Sequence, residues 1–521
     1  MNMLNQWPAR LVPAGLAFAL LTGCTSLGES TPVVVGMSDD VLATDPASGY
    51  DPGSWLLFNN VFQSLLSFPS GGTEPEPDAA EVCSFTDGRA RVYKCRLKDG
   101  LRFSNGDPLT AEDVKFSFDR TLRIDNAAGP AVMFGTLDSI QTPNDKTVVF
   151  RLKVPDATFP SKIASGAGSI VDHRQYRGDE LRTDGGAVGS GPYRLESFGK
   201  GEAVFSVNER YKGNARVKNS GVTLKFFHGH QDALKEAVLD DKVDVAYRGL
   251  TAQDISGIDQ QIGRKDVDVV EGGSAEVQHL VFNMHDPVAG RSSVREAIAH
   301  VLDRDALVRE VYRDTAIPLY SIVPAGIGGH TTAFFDRYGG RPSTAEATAL
   351  LRADGITDRV RLTLWSTPVR YGPATDQEMH AIADQLNASG LFDTDVKSVP
   401  FDRYERDIAA GTYGVYVKGW VPDYPDADNF TAPLFGRGNV LGNHYENSTL
   451  TDELIPRTAA VSDRMAAEGE FAQIQDIVAR QVPVLPVWQA KQYAVVRDGV
   501  HGVDYCLDAS TVFRFWELSK D

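Results

Sequence analysis

The 521-residue chain contains few of the residues and motifs on which metal sites and catalytic sites usually depend. It has 4 cysteines and 10 histidines, and no two cysteines have the C-x-x-C spacing that is typical of zinc sites. Neither a phosphate-binding GxxxxGK(S/T) loop nor a GxSxG nucleophile elbow occurs. We therefore expect a protein that is not an enzyme and that has no resident metal ion or cofactor.

Positive charge is also scarce in this sequence. Lys and Arg together number 52, whereas Asp and Glu number 70, so the formal net charge is -18. Proteins that bind nucleic acids or anionic membrane surfaces need clustered basic residues. We therefore expect no nucleic-acid partner. The acidic balance is compatible with cationic ligands, although bulk charge does not identify one.

The chain has no apolar run long enough to span a bilayer, which takes about 20 residues in a helix. A shorter apolar run, residues 11–22, ends at Leu21-Thr-Gly-Cys24, which resembles the lipobox of bacterial lipoproteins. We expect residues 1–23 to be a signal peptide, Cys24 to carry the lipid and residues 24–31 to form a linker. The mature protein would then be extracytoplasmic and anchored to the cell membrane. An ordinary secretory signal with an incidental cysteine is the alternative.

The remaining cysteines fit such a compartment. Cys83 and Cys95 flank the turn sequence Thr86-Asp-Gly-Arg89, which lies between two alternating runs. Because extracytoplasmic compartments are oxidising, we expect these two cysteines to form a disulfide. Cys506 is left over, and we expect it to be a small buried hydrophobic residue.

The pattern of apolar residues alternates between the periods of strands and helices, which predicts an α/β fold. The predicted strands and extended runs are residues 32–36, 91–97, 137–152 (a hairpin), 222–227, 243–247, 277–283, 360–365, 414–418, 482–488 and 511–516. The predicted helices are residues 55–66, a helix with its N-cap at Thr110, 232–240, 293–303, 376–387 and 471–480. The glycine-rich residues 185–195 are interpreted as a bend between domains.

One loop, residues 418–430, concentrates aromatic and acidic side chains directly after a predicted strand. It contains Trp420 and Asp423, and its two prolines make it rigid. Stiff loops at strand ends are where α/β proteins hold ligands. We therefore expect Trp420 to be a wall of a binding cavity and Asp423 to be its negative anchor. An acidic surface loop with a packed tryptophan is the alternative.

Several segments of the sequence resemble those of a known protein family. Residues 101–114, Leu-Arg-Phe-Ser-Asn-Gly-Asp-Pro-Leu-Thr-Ala-Glu-Asp-Val, are similar to the signature of the extracytoplasmic solute-binding proteins of ABC importers, specifically the peptide- and nickel-binding family 5. The supporting segments, in matching order, are Gly189-Ser-Gly-Pro-Tyr193, Leu280-Val-Phe-Asn283, Val294-Arg-Glu-Ala-Ile298, Asp303-Arg304 and Gly419-Trp420. The signature itself has a structural explanation as a turn, a helix cap and buried aromatic residues.

The resemblance implies a two-lobed, periplasmic-binding-protein-like α/β fold (type II, cluster C) with an extra subdomain inserted into the first lobe. We expect lobe I to comprise residues 32–48, 188–272 and 492–521, the inserted subdomain residues 49–187, and lobe II residues 273–491. The protein is expected to be a monomer whose lobes close on the ligand.

The resemblance also implies roles for individual residues. Asp423 would bind the α-ammonium of a peptide, with Trp420 and Tyr424 as further ligand contacts. Arg370, five residues after Trp365, would hold the C-terminal carboxylate, and the alternative for Arg370 is a surface charge. Asp423 could instead face a sugar hydroxyl.

The expected function is capture of di- or oligopeptides and their delivery to the permease subunits of an ABC transporter. The same fold could instead bind an oligosaccharide, a nickel or other metal chelate, or heme. A hydrolase is the remote alternative. His228-Gly-His230 is the segment that would favour a metal, but we interpret it as a loop after a strand.

Overall fold

The computed structural model describes residues 32–260, 266–368 and 370–521. The predicted signal peptide, the lipidation site at Cys24 and the linker lie outside the described residues. The strands are β1 (Val33–Met37), β2 (Leu66–Ser67), β3 (Glu76–Pro77), β4 (Ala80–Phe85), β5 (Val92–Leu97), β6 (Leu137–Asn144), β7 (Thr147–Leu152), β8 (Tyr193–Phe198), β9 (Glu202–Val207), β10 (Gly221–Phe226), β11 (Val245–Tyr247), β12 (Val267–Phe282), β13 (Ala316–Pro318), β14 (Val360–Ser366), β15 (Phe392–Ser398), β16 (Val415–Trp420), β17 (Val484–Arg497), β18 (Val500–His501) and β19 (Ser519–Lys520).

Most of the longer strands are connected by helices, as expected for an α/β protein. The α-helices are α1 (Pro52–Val61), α2 (Ala111–Ile124), α3 (Phe159–Ala164), α4 (Gln231–Leu239), α5 (Ala252–Asp259), α6 (Ser292–Val301), α7 (Arg304–Glu310), α8 (Ala333–Tyr338), α9 (Thr344–Ala353), α10 (Thr375–Ala388), α11 (Phe401–Ala409), α12 (Ala432–Phe435), α13 (Ile455–Ala460) and α14 (Glu468–Gln481).

The largest sheet in the described part of the chain has 11 strands and extends through two lobes. Its order is β15-β14-β16-β12-β17-β11-β1-β10-β9-β8, and β13 pairs with β17. In one half, β1 is parallel to β10 and β11; in the other half, β14 is parallel to β15 and β16. The long antiparallel strands β12 and β17 join the halves, and their register is interrupted between Gly273 and Val277. Two lobes therefore share two crossing strands.

A separate four-stranded antiparallel sheet, β4-β5-β7-β6, packs against α2 and forms its own apolar core. Phe103 and Phe118 are among the buried aromatic residues of this core. The N-terminus of α2 has the predicted capping box, because the Thr110 backbone N–H donates to Asp113 Oδ2 over 2.8 Å. The structure thus confirms the cap and the buried aromatic residues predicted for the family signature.

Helix α1 is shorter than the predicted helix, which extended to residue 66. It ends at Val61 because the carbonyl of that residue accepts a hydrogen bond from Gly191 N over 2.8 Å. A Cβ on Gly189 would lie 2.1 Å from the Val61 carbonyl oxygen, so a larger residue cannot occupy that position without moving the helix. The glycine-rich segment therefore serves to bring two backbones into close contact.

The predicted strand at residues 511–516 is wrong. Thr511 has a φ of 58°, and a 3-10 helix occupies Phe515–Glu517. Asn60 satisfies the backbone instead: its Nδ2 donates to Phe513 O over 3.0 Å, and its Oδ1 accepts from Phe515 N over 3.0 Å. The two phenylalanines still fill the core of lobe I, and the strand that returns to this lobe is β17.

Two of the predictions for cysteines can be located in the structure. Cys83 and Cys95 lie opposite each other on β4 and β5, with 4.1 Å between their Cα atoms and 2.04 Å between their sulfur atoms. The oxidised state of this pair in the cell stays a prediction. Cys506 is buried, as predicted, and burial raises the pKa of its thiol to about 12.

Candidate functional site

The site lies where the carboxyl ends of parallel strands in the two lobes meet. Asp39 and Arg248 follow β1 and β11, which are parallel neighbours in lobe I. The chain that leaves β16 in lobe II contains Asp423, and the indole of Trp420 is at the last position of that strand. In open α/β sheets, ligands bind outside the carboxyl ends of the strands.

Asn429 holds the loop after β16 in its conformation. Its Oδ1 accepts hydrogen bonds from Trp420 Nε1 over 3.0 Å and from the Asp423 backbone N over 3.2 Å. Its Nδ2 lies 3.5 Å from Asp423 Oδ2. Farther along, Arg464 binds both carboxylate oxygens of Asp426 over 2.8 Å each. Sequence reasoning missed Asn429, because nothing in the local pattern distinguishes it from an ordinary loop asparagine.

Asp423 faces a residue from the other side of the cleft. The hydroxyl of Tyr50, which lies between β1 and α1, donates to Asp423 Oδ1 over 2.7 Å. Burial raises the pKa of Asp423 above its usual range, and the hydrogen bonds from Tyr50 and Asn429 offset only part of this effect. The pKa of Tyr50 is also raised, first by burial and then by the carboxylate. A carboxylate in this environment gains from an approaching cation, because the cation replaces lost hydration.

Tyr424 is 5% exposed and packs into the core of the unit built on the four-stranded sheet. Its hydroxyl donates to Asp428 Oδ2 over 3.4 Å. Burial, and then the neighbouring Asp426, raise the pKa of Asp428 to about 6. The structure thus gives Tyr424 a packing role between the loop and that unit, and its assignment as a ligand contact stays a prediction.

Arg370 lies in the connection after β14 and is exposed. Its guanidinium carbon is 5.0 Å from the centre of the Phe401 ring, a cation–π arrangement. Among the described residues, no hydrogen bond or ion pair joins Arg370 to Trp420 or Asp423. Its role as a carboxylate clamp therefore stays a prediction.

A cavity of about 190 Å³ lies at the junction of the lobes. Its wall combines Arg248 from lobe I, Glu276 and Lys491 from the crossing strands, and Val421 from the loop after β16. Burial raises the pKa of Glu276, although the nearby Arg248 counteracts part of this shift. Sequence reasoning did not identify Arg248 or Glu276, because the cavity forms only when segments distant in sequence come together.

One group of possible metal ligands occurs in the described part of the chain. Asp113, Asp172 and His173 bring their ligand atoms within 4.8 Å of one another. However, Arg174 Nε binds Asp172 over 2.5 Å and its Nη2 lies 3.3 Å from Asp113, so a cationic side chain already pairs with both carboxylates and offsets part of their charge. In the predicted loop after β10, His228 Nδ1 pairs with an aspartate over 2.5 Å.

None of the helices in the described ranges combines the length and the apolar composition that a membrane span requires.

Comparison with known proteins identifies the family to which this chain belongs. Residues 74–442, more than half of the chain, match the family described as Bacterial extracellular solute-binding proteins, family 5 Middle. The chain is 26% identical over 526 residues to the probable D,D-dipeptide-binding periplasmic protein of Escherichia coli (strain K12), covering 98% of both chains. It is 24% identical over 500 residues to the dipeptide-binding protein of the same strain, covering 90% of both chains.

A solved structure shows the same fold. The structure resembles the ABC transporter-associated periplasmic binding protein DppA from Helicobacter pylori in complex with peptide STSA, with a TM-score of 0.75, 20% sequence identity, and coverage of 94% of this chain and 98% of the other. The two-lobed periplasmic-binding-protein fold predicted from the sequence is therefore confirmed. The chain belongs to the bacterial extracellular solute-binding proteins of family 5.

Proposed function

We propose that this protein captures short peptides between its lobes and delivers them to the permease of an ABC importer. The observation that carries the proposal is the environment of Asp423, a partly buried carboxylate that is held by Asn429 and faces Tyr50 across the cleft. An ammonium group removed from water needs a carboxylate with charge-assisted hydrogen bonds. The names of the two curated relatives, both of which refer to dipeptides, support the same ligand class.

In this proposal the α-ammonium of the peptide donates to Asp423 and competes with the hydroxyl of Tyr50. The indole of Trp420, fixed through its Nε1, provides an apolar wall beside the ligand backbone. Exposed backbone groups of the peptide can pair with the protein irrespective of side-chain identity. Varied sequences would then bind, provided that the amino terminus is free.

Closure of the lobes is the proposed signal to the permease. The lobe boundary lies in β12 near residues 273–277, where the register with β17 is interrupted. We assign residues 32–48, 188–272 and 492–521 to lobe I, 273–491 to lobe II and 49–187 to the inserted subdomain. A ligand that contacts both lobes favours the closed state, because only that state makes both sets of contacts.

We further propose that the mature protein begins at a lipidated Cys24 and remains anchored outside the cytoplasm. In cells fed radiolabelled palmitate, the full chain should incorporate label and Cys24→Ser should not. In cell fractionation, the full chain should be found with the membrane, whereas the Cys24→Ser variant should be found in the aqueous extracytoplasmic fraction. Equal labelling of both proteins, or an unlabelled full chain, would contradict lipidation at this residue.

Calorimetry with di- to hexapeptides tests the proposed ligand class. At least one peptide pool should bind, and N-acetylated versions of the same peptides should bind far more weakly, because they lack the ammonium. Failure of every peptide to bind, together with tight binding of an oligosaccharide, a metal chelate or heme, would reject the proposal. Turnover of a peptide or glycoside by the purified protein would reject the assignment as a binding protein.

A further inference from the structure

Glu276 places a carboxylate in the wall of the cavity at the junction of the lobes. It lies in the segment of β12 where the register with β17 is interrupted, between Gly273 and Val277, and its backbone N donates to Ser274 Oγ over 3.1 Å. Such irregularities redirect side chains, and they are common beside functional sites. Among the described residues, no donor binds the carboxylate of Glu276 and no basic side chain pairs with it. The carboxylate therefore lines the cavity without a partner from the described chain.

The basic residues of the cavity wall do not provide Glu276 with a cation of its own, because each already has a carboxylate partner. Arg248 Nε donates to Asp39 Oδ2 over 2.7 Å, and Lys491 Nζ lies 3.0 Å from Glu271 Oε1. Two cations are therefore shared among three carboxylates at this point of the molecule. Burial raises the pKa of Glu276, and the nearby Arg248 counteracts only part of this shift. An approaching cation would relieve the cost of burying the charged form.

Two tyrosines also line this cavity, and both are fixed by their hydroxyl groups. Tyr247 donates to Gln492 Oε1 over 3.0 Å, and its ring stacks on that of Phe513 with 4.1 Å between the ring centres. Tyr493 donates to Glu271 Oε2 over 2.9 Å. Because both hydroxyl protons are already donated, the tyrosines offer a ligand aromatic surface rather than a hydrogen-bond donor. Aromatic rings attract cations, and this attraction adds to that of a carboxylate.

Resting on the proposed function, we propose that Glu276 determines specificity by binding the cationic side chain of a lysine or arginine residue in the peptide. Val421 lines the same cavity and lies two positions before Asp423, so the cavity adjoins the proposed site of the α-ammonium. The cavity of about 190 Å³ has room for roughly six non-hydrogen atoms, since one water molecule takes roughly 30 Å³. The lysine and arginine side chains beyond Cβ are no larger than this. Their carbon atoms would pack against the tyrosine rings while the charged group reaches Glu276.

Calorimetry with matched dipeptides tests this assignment. Each pair compares a cationic side chain with a neutral one of similar shape: lysine with norleucine, and arginine with citrulline, each placed first or second beside alanine. For the unaltered protein, at least one cationic peptide should bind at least ~10-fold more tightly than its neutral counterpart, the ratio expected for a hydrogen bond to a charged group. Because each ratio is internal to one protein, it does not depend on the fraction of protein that is folded.

Substitution of Glu276 should remove this preference. Glu276→Gln should reduce the ratio to below about 3-fold, and Glu276→Asp, which keeps the charge on a shorter side chain, should give an intermediate ratio. Lys491→Gln removes a cation from the same wall and should keep or increase the ratio. Glu517→Gln, which changes a partly buried glutamate that is paired with Lys218 outside the cavity, is the matched control and should keep the full ratio. Equal losses in Glu276→Gln and Glu517→Gln would overturn the proposal, because the preference would then depend on overall charge.

The outcomes also separate this inference from the function on which it rests. If the unaltered protein binds dipeptides but does not prefer a cationic side chain, the assignment of Glu276 is wrong and the peptide-binding function stands. If the preference persists in Glu276→Gln, another residue recognises the cation and the inference is wrong. If spermidine binds and no peptide does, the proposed function fails, and the ligand is a free polyamine rather than a peptide side chain. If neither binds, the proposed function and this inference both fail.

Discussion

Replacing Asp423 by asparagine tests the proposed ammonium anchor with the smallest change in shape. In the unaltered protein the Tyr50 hydroxyl donates to Asp423 Oδ1 over 2.7 Å. An asparagine keeps an oxygen that can accept this hydrogen bond, but it loses the negative charge. Removing one partner of a buried charge pair at an interface costs about 2–5 kcal/mol. Peptide affinity should therefore fall by roughly 30- to 4,000-fold, since 1.4 kcal/mol corresponds to a factor of ten.

The same substitution should not destabilise the protein without ligand. The pKa of Asp423 is raised in the folded state, so burial of its charged form costs stability at every pH above that pKa. Asparagine removes this cost, because it has no charge to bury. The midpoint of thermal unfolding of Asp423→Asn at pH 7, measured by circular dichroism, should equal or exceed that of the unaltered protein.

The pH dependence of binding follows from the direction of the same pKa shift. The bound ammonium requires the charged form of Asp423, whereas the free protein favours the neutral form more than an exposed aspartate does. Affinity should therefore be constant well above the raised pKa and fall as the pH is lowered through it. In Asp423→Asn this fall should be absent.

A thermodynamic cycle that combines Asp423→Asn with an N-acetylated peptide isolates the proposed contact between Asp423 and the peptide ammonium. Acetylation removes the ammonium from the ligand, and the substitution removes the charge from the protein. If the two groups bind each other, the substitution should matter for the free peptide and have little effect on the acetylated one. Equal losses for both peptides, or an Asp423→Asn affinity within about 3-fold of the unaltered protein, would refute the anchor assignment.

Three further predictions concern the framework around the site. Asn429→Leu should weaken peptide binding about tenfold and lower the free energy of unfolding by about 1–3 kcal/mol, because it leaves two partly buried donors, Trp420 Nε1 and the Asp423 backbone N–H, without an acceptor. An unchanged affinity in calorimetry would contradict this. Reduction of Cys83–Cys95, which closes a 12-residue separation, should cost about 3 kcal/mol, measured by urea unfolding with and without reductant, and Cys83→Ser should then be insensitive to reductant. Arg120→Leu should lower the free energy of unfolding by about 3–5 kcal/mol, because it leaves the buried carboxylate of Asp45 without its cation. In the unaltered protein Arg120 binds both oxygens of Asp45, over 2.7 and 2.6 Å. If adding Asp45→Asn to this variant recovers none of the lost stability, the buried ion pair is not the cause of the loss.

Features set by neighbours in the sequence were predictable. The capping box of α2 involves Thr110 and Asp113, three residues apart, so its pattern is complete within one turn of helix. The strand before Trp420 was predicted as residues 414–418, and β16 occupies Val415–Trp420. A run of β-branched and apolar residues followed by prolines carries this information locally.

Features set by distant partners were not predictable. Tyr50 and Asp423, which are joined by a hydrogen bond, are 373 positions apart. The tail at residues 511–516 has the composition of a strand, but Asn60 supplies its hydrogen bonds and removes the need for a sheet neighbour. A pattern of side chains shows which residues will be buried, and it does not show which backbone groups a remote asparagine will satisfy.

The position of Asp423 connects the proposed recognition with transport. Asp423 follows a strand of lobe II and accepts a hydrogen bond from Tyr50, which lies on the other side of the cleft. A ligand that contacts only one lobe would have a similar affinity for the open and closed states, and such a ligand shifts no equilibrium. A peptide whose ammonium replaces the Tyr50 hydroxyl at Asp423, and whose backbone contacts the opposite lobe, would make both sets of contacts only in the closed state. Such a peptide would therefore shift the equilibrium towards the state that we propose the permease recognises.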